Sequence, residues 1–131
     1  MQQNNKLVQG VVGLAGFFYL LTGGALLFIP DWFFANIGFF PPFNRHYAGD
    51  LGAFHLPLGL FLLMAARHPA QHRSLIGFAA AGSLVHAFNH LYDTLMGPAP
   101  AWGEVVLLLV FGAMLALVYI GKRNTGNGET V

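Results

Sequence analysis

The sequence predicts an all-α fold: a four-transmembrane-helix antiparallel bundle with a short aromatic interfacial segment on the outer side. Its side chains are too apolar for water, four apolar stretches have spanning length, and the basic residues are sorted to one side of those stretches. Of 131 residues, 56% are hydrophobic and 8% charged, where a soluble domain carries about 25% charged residues. A water-facing surface cannot be built from that inventory, so lipid is the expected solvent and residues 1–131 form one integral membrane domain. The formal charge of +1 comes without a sustained basic run, so the electrostatic footprint of nucleic-acid binding is missing. There is no cysteine, which excludes disulfides, thiolate metal sites, iron–sulfur clusters and dithiol redox chemistry.

A hydrocarbon core of about 30 Å takes roughly 20 helical residues. The first span, about 7–29, ends at Pro30, where a helix can stop cheaply. It carries Gly10, Gly13, Gly16, Gly23 and Gly24, which predict a face that another helix backbone approaches closely. A cleavable signal peptide is the competing account of this segment. The run is longer than a signal core, however, and lacks a small-x-small site at the right distance. The connection that follows, Asp31 to Phe43, is nearly as apolar as a span but too short to cross. Its Trp32, Phe33, Phe34, Phe39, Phe40 and Phe43 suit an element lying in the outer interface. A cap over the bundle and a docking surface for another membrane protein are the alternatives. The second span, about 47–66, follows Pro41 and Pro42 and contains Gly49, Gly52 and Gly59. The third, about 74–95, contains Gly77, Ala81 and Gly82, and Gly97-Pro98-Ala99-Pro100 separates it from the fourth, about 101–120.

Short loops make neighbouring spans antiparallel, and an even count puts both termini on one side. Lys6, Arg67, Arg73, Lys122 and Arg123 collect there, with only Arg45 opposite. By the positive-inside rule, both termini and the Arg67–Arg73 turn are cytoplasmic. His68 and His72 belong to that wet turn, and the polar tail from Asn124 is expected to be mobile.

Acidic residues sort the other way. Asp31, Asp50, Asp93 and Glu104 fall toward the outer half, leaving Glu129 in the tail. His86, Asn89, His90 and Asp93 fall at helical offsets of about 0°, 300°, 40° and 340°, which makes one stripe. Antiparallel pairing of spans two and three sets Asp50 level with His90, His46 level with Asp93, and His55 within a turn of His86. His55 is about 140° from Asp50 around its helix, which leaves its place in that cluster open. Charged groups in a bilayer normally face the bundle interior or a wet cavity, so the stripe is expected to turn inward. Arg45 is the cation available to pair with Asp50, Asp93 or Asp31.

This constellation suits more than one chemistry. His86 and His90 project from one face, Asp93 adds a third donor, and Asp50, His46 or Glu104 supply a fourth for a divalent metal such as zinc, iron, manganese or copper. The zinc-protease pattern His-Glu-x-x-His is absent. His55 and His86, at similar depth among small residues, suit the axial position of a haem or another tetrapyrrole. Asp and His pairs could also serve as acid and base on a lipid-like substrate, with Tyr19 joining His55 or His86. The plainest alternative is an interhelical hydrogen-bond network that holds the bundle together.

The stretch Arg45-x4-Asp50-Leu-Gly-Ala-Phe, then Leu58-Gly-Leu-Phe-Leu-Leu, a basic turn at Arg67 and Arg73, and His86-Ala-Phe-Asn-His90-Leu-Tyr-Asp93 resembles small four-helix bacterial membrane proteins of the broad DoxX-like type. The likeness covers about half the chain. It implies a bacterial inner-membrane bundle, and some DoxX-type proteins accompany respiratory or redox enzymes as small membrane subunits. The expected role is thus an accessory or structural subunit that contacts lipid and other membrane subunits or itself, and is not an enzyme on its own. A metal- or haem-binding protein is the rival.

Overall fold

Breaks in the apolar pattern become breaks in the helices. The computed structural model describes residues 2–97 and 100–121, and every regular element among them is helical: α1 (Gln2–Phe28), α2 (Pro30–Asn36), α3 (Arg45–Ala65), α4 (Arg73–Met96) and α5 (Trp102–Gly121). Pro30 opens α2 at a position where its missing N–H is no loss. Asn44 caps α3 by accepting from the Tyr47 backbone N–H at 3.1 Å. The Ala101 N–H donates to Thr94 Oγ1 at 2.9 Å, tying the start of α5 back to α4. Lys122, Arg123, Glu129, the tail from Asn124 and the Pro98–Ala99 part of the third break lie outside the described residues.

Among the described residues, three helices are long and apolar enough to cross a membrane: Lys6–Phe28 within α1, α3 and α5. α4 is 24 residues long but is diluted in apolarity by Ser83, His86, Asn89, His90 and Asp93. The outer connection contains a helix, the seven residues of α2.

The long helices pack chiefly as two pairs, α1 with α3 and α4 with α5, while α3 and α4 touch only sparsely. Glycine sets the first pairing. A Cβ on Gly23 would run into the backbone of Leu56, one on Gly59 into that of Leu20, and one on Gly16 would come within 2.8 Å of Leu63 N. Numbers rise along α1 as they fall along α3, so the pair is antiparallel. In the second pair, a Cβ on Gly112 would lie 2.8 Å from the Leu84 side chain and one on Gly77 3.0 Å from the Tyr119 ring, again antiparallel. The small residues are not all used this way, because Gly10, Gly24 and Gly82 have open space where a Cβ would stand.

The pairs meet in a core of Val12, Ala15, Tyr19, Leu62, Ala65, Ile76, Ala79, Phe111 and Leu115. Phe18 stacks on Phe111 with ring centroids 4.7 Å apart. Tyr19 and Ser83 are joined by a buried hydrogen bond of 2.5 Å, and Ser83 Oγ donates to the Ala79 carbonyl at 2.7 Å. A serine hydroxyl has one proton, so Tyr19 is the donor to Ser83.

Helix ends present carbonyls without intrahelical partners. Three ends are met by side chains from other elements. Arg45 donates to Leu27 O at the end of α1 (3.2 Å), Gln9 to Arg67 O just past α3 (3.1 Å), and Arg73 to Tyr119 O in the last turn of α5 (2.7 Å). The Arg73 guanidinium also lies 5.5 Å from the centroid of the Tyr119 ring, within cation–π range. These placements suit the negative end of the helix dipole. They also correct the expected pairing of Arg45 with Asp50, Asp93 or Asp31, since its recorded partner is a backbone carbonyl.

Candidate functional site

Where α3 and α4 stand apart, the bundle leaves a partly open chamber of about 260 Å³ at the end that carries α2. All four long helices and the aromatic connection contribute to it. Phe18, Thr22 and Leu26 come from α1, and Phe33, Ile37 and Phe40 from α2 and the loop after it. Leu51 and His55 come from α3, and Leu107 and Leu108 from α5. Its polar wall is His86, Asn89, His90 and Asp93 of α4 with Glu104 of α5. The expected inward turn of the stripe holds only in part, because His90 is buried, His86 and Glu104 are half-buried, and Asn89 and Asp93 are exposed toward the helix end.

The helical repeat builds that wall, because residues four apart on α4 stand one above the other. His86 and His90 face each other with Nε2 atoms 3.0 Å apart and rings stacked at 4.7 Å. Asn89 Nδ2 donates to Asp93 Oδ2 at 3.3 Å. His90 is 6% exposed, and the Phe40 ring lies 5.6 Å from it. His55 approaches from α3, with ring centroids 6.0 Å from His86 and 5.1 Å from Tyr19. In a neutral imidazole pair, one Nε2 donates and the other accepts. That contact leaves His90 Nδ1 over, and both His90 Nδ1 and His55 Nδ1 are buried with no hydrogen-bond partner among the described residues. Buried polar groups are normally satisfied, so the chamber wall holds hydrogen-bonding capacity that the described side chains do not meet.

The expected rungs divide. His55 and His86 approach each other, and His55 lines the chamber with His86, His90, Asp93 and Glu104. The rungs Asp50–His90 and His46–Asp93 are absent. His46 and Asp50 instead contact each other along α3 at 3.4 Å, with side chains 90% and 63% exposed. The cause is the glycine interlock, which draws α3 onto α1 and leaves its His46–Asp50 side outside the chamber. Tyr19 is engaged by Ser83 and meets His55 only edge-on.

Among the described residues, no group of three His, Asp or Glu side chains is arranged to hold a metal ion. His86 and His90 offer two nitrogens close together, but the Asp93 carboxylate takes its bond from Asn89. Metal-ligating histidines almost always donate their other ring N–H to a partner, and His90 Nδ1 has none among the described residues. For a tetrapyrrole on His55 and His86 the limit is space, since the chamber is smaller than the roughly 300–1,000 Å³ clefts that take drug-sized ligands.

Ser83 and the lining role of Phe40 were not anticipated from sequence. Ser83 had a signal, because it lies three residues before His86 on the same side of α4. Phe40 had none, because its place depends on how the loop folds back over the bundle.

Residues 3–128 match DUF6632, a family of unknown function. The chain belongs to this family. The matched segment takes in every chamber-lining residue of the DUF6632 chain. No curated protein and no solved structure matches it.

Proposed function

We propose that this DUF6632 protein is a four-span protein of the bacterial inner membrane that holds a small molecule in its outer half. It serves a membrane complex as an accessory or binding subunit and is not an enzyme on its own. The observation that carries this reading is the chamber itself, a hollow walled by four helices with polar groups on one side and two imidazole nitrogens lacking partners.

α4 is taken as the remaining span because its polarity is one-sided. Its chamber stripe is polar, while Phe78, Val85, Phe88, Tyr92 and Leu95 form an exposed apolar stripe suited to lipid. The Arg67–Arg73 turn supports a cytoplasmic position for the end opposite α2. Exposed Trp32 and Phe39 suit anchoring of the α2 end at the outer interface. The layout similar to DoxX-type subunits favours companionship with a larger membrane assembly over isolated action.

Native mass spectrometry of the protein released from lipid nanodiscs tests this. The expected result is an adduct of constant mass that a His86→Ala/His90→Ala double variant loses while keeping its helix content. A wild-type protein free of any adduct overturns it. The 3.0 Å separation of the His86 and His90 Nε2 atoms favours a second reading, a divalent metal chelated by that pair with Asp93 or Glu104 turned toward it. Stoichiometric metal by elemental analysis, lost in the same double variant, selects that reading. An adduct that is organic and metal-free selects the first.

A further inference from the structure

A second hollow bears on what the chamber holds. On the surface of α1 and α2 lies an open groove of about 650 Å³ whose lining is almost wholly apolar, including Leu21, Gly24, Phe28, Ile29 and Trp32. Phe18, Thr22, Phe33 and Ile37 line this groove and the chamber alike. The lipid-facing trough and the polar compartment therefore adjoin along these four side chains, and a ligand that occupied both would pass between them. We infer that the two hollows are one amphiphile site, with the trough taking a single apolar chain and the chamber taking an uncharged, hydroxyl-bearing head of the monoacylglycerol type.

The inference rests on the chamber being a binding site and adds the chemical class of its ligand. Charge argues against an anionic head. Exposed Asp93 and half-buried Glu104 line the chamber and, among the described residues, no Lys or Arg does, so a phosphate or carboxylate head would meet two acidic side chains and no cation. Hydroxyls fit, because carboxylates accept from them and imidazole nitrogens can accept or donate. The unpartnered His55 Nδ1 and the unpartnered Nδ1 of His90, itself nearly fully buried, are the capacity such a head would meet. Size agrees, since about 260 Å³ holds a glycerol-sized head and not a second chain.

Gly24 marks the trough as a space to be filled. It lies on the groove wall, yet nothing stands within 4 Å of where its Cβ would be. Helix packing therefore does not require glycine there, and a larger side chain would start into the groove.

Trp32 in the groove supplies the readout. In a Trp102→Phe background, the protein is placed in phosphatidylcholine nanodiscs and titrated with chain-brominated monoacylglycerol, which quenches indole fluorescence on contact. The expected result is saturable quenching that brominated phosphatidylcholine at the same mole fraction does not reproduce. It should weaken roughly tenfold in Gly24→Leu, equivalent to about 1.4 kcal/mol of binding. Brominated lysophosphatidic acid should bind only once Asp93→Asn and Glu104→Gln have removed the carboxylates. Equal quenching by lysophosphatidic acid, by a fatty acid or by a cationic single-chain amphiphile in the unaltered site overturns the assignment, as does indifference to Gly24→Leu. If the monoacylglycerol fails while a His86/His90-dependent adduct persists by native mass spectrometry, the ligand class is wrong and the binding chamber stands. If both fail, both readings fall.

Discussion

At the scale of single residues, the Tyr19–Ser83 bond and the His86–His90 pair show how one side chain's proton fixes the next one's role. Ser83 gives its proton to Ala79 O, so Tyr19 must donate to Ser83, and the two obvious substitutions are not equivalent. Tyr19→Phe leaves Ser83 still bonded to the backbone and should cost about 0.6 kcal/mol, the average for a hydrogen bond between membrane helices. Ser83→Ala strands a buried phenol and should cost roughly 1–3 kcal/mol. Thermal unfolding in detergent checks the order, and a larger loss for Tyr19→Phe would contradict the donor assignment. The α4 stripe of His86, Asn89, His90 and Asp93 was legible in the sequence because it depends only on the period of one helix. The fate of His46 and Asp50 was not. It depends on the rotation of α3 about its axis, which is set by the helix α3 packs against.

At the scale of elements, the ends of the helices follow from proline and glycine punctuation and could be read directly. Which helices pair could not, because glycines on three stretches advertise close approach without naming a partner. The structure spends Gly16, Gly23 and Gly59 on the α1–α3 contact and leaves Gly24 open. Gly59→Ala should therefore overpack that contact and destabilise by about 1–3 kcal/mol, whereas Gly24→Ala, whose methyl meets no neighbour, should leave stability the same or slightly higher. Matched melting curves of the two variants in one detergent check this, and equal effects would contradict the interlock. Arg73 makes a different kind of junction, serving Tyr119 O and the Tyr119 ring from the first residue of α4. Arg73→Met keeps the aliphatic bulk and removes both interactions. It should lower the melting temperature more than Arg67→Met does, because for Arg67 the recorded contact is a backbone carbonyl accepting from Gln9.

At the scale of the whole molecule, the all-helical class was legible from composition and run length, whereas the chamber was not, since it is the space left between two pairs. The absence of cysteine makes topology simple to test, because any thiol introduced is unique. A four-span arrangement expects Gln71→Cys to react with a membrane-impermeant maleimide only from the cytoplasmic side and Asn44→Cys only from the periplasmic side. Labelling of both positions from the same side would contradict it. The two-pair packing also bears on biogenesis. Each extensive interface joins long helices that follow one another off the ribosome, so each hairpin can close as soon as its second arm enters the bilayer. The compartment between the hairpins is the last region to acquire its shape. Damage to the α4–α5 hairpin should therefore leave a folded N-terminal half with half a cavity, which a protease would distinguish from a chain that never assembled.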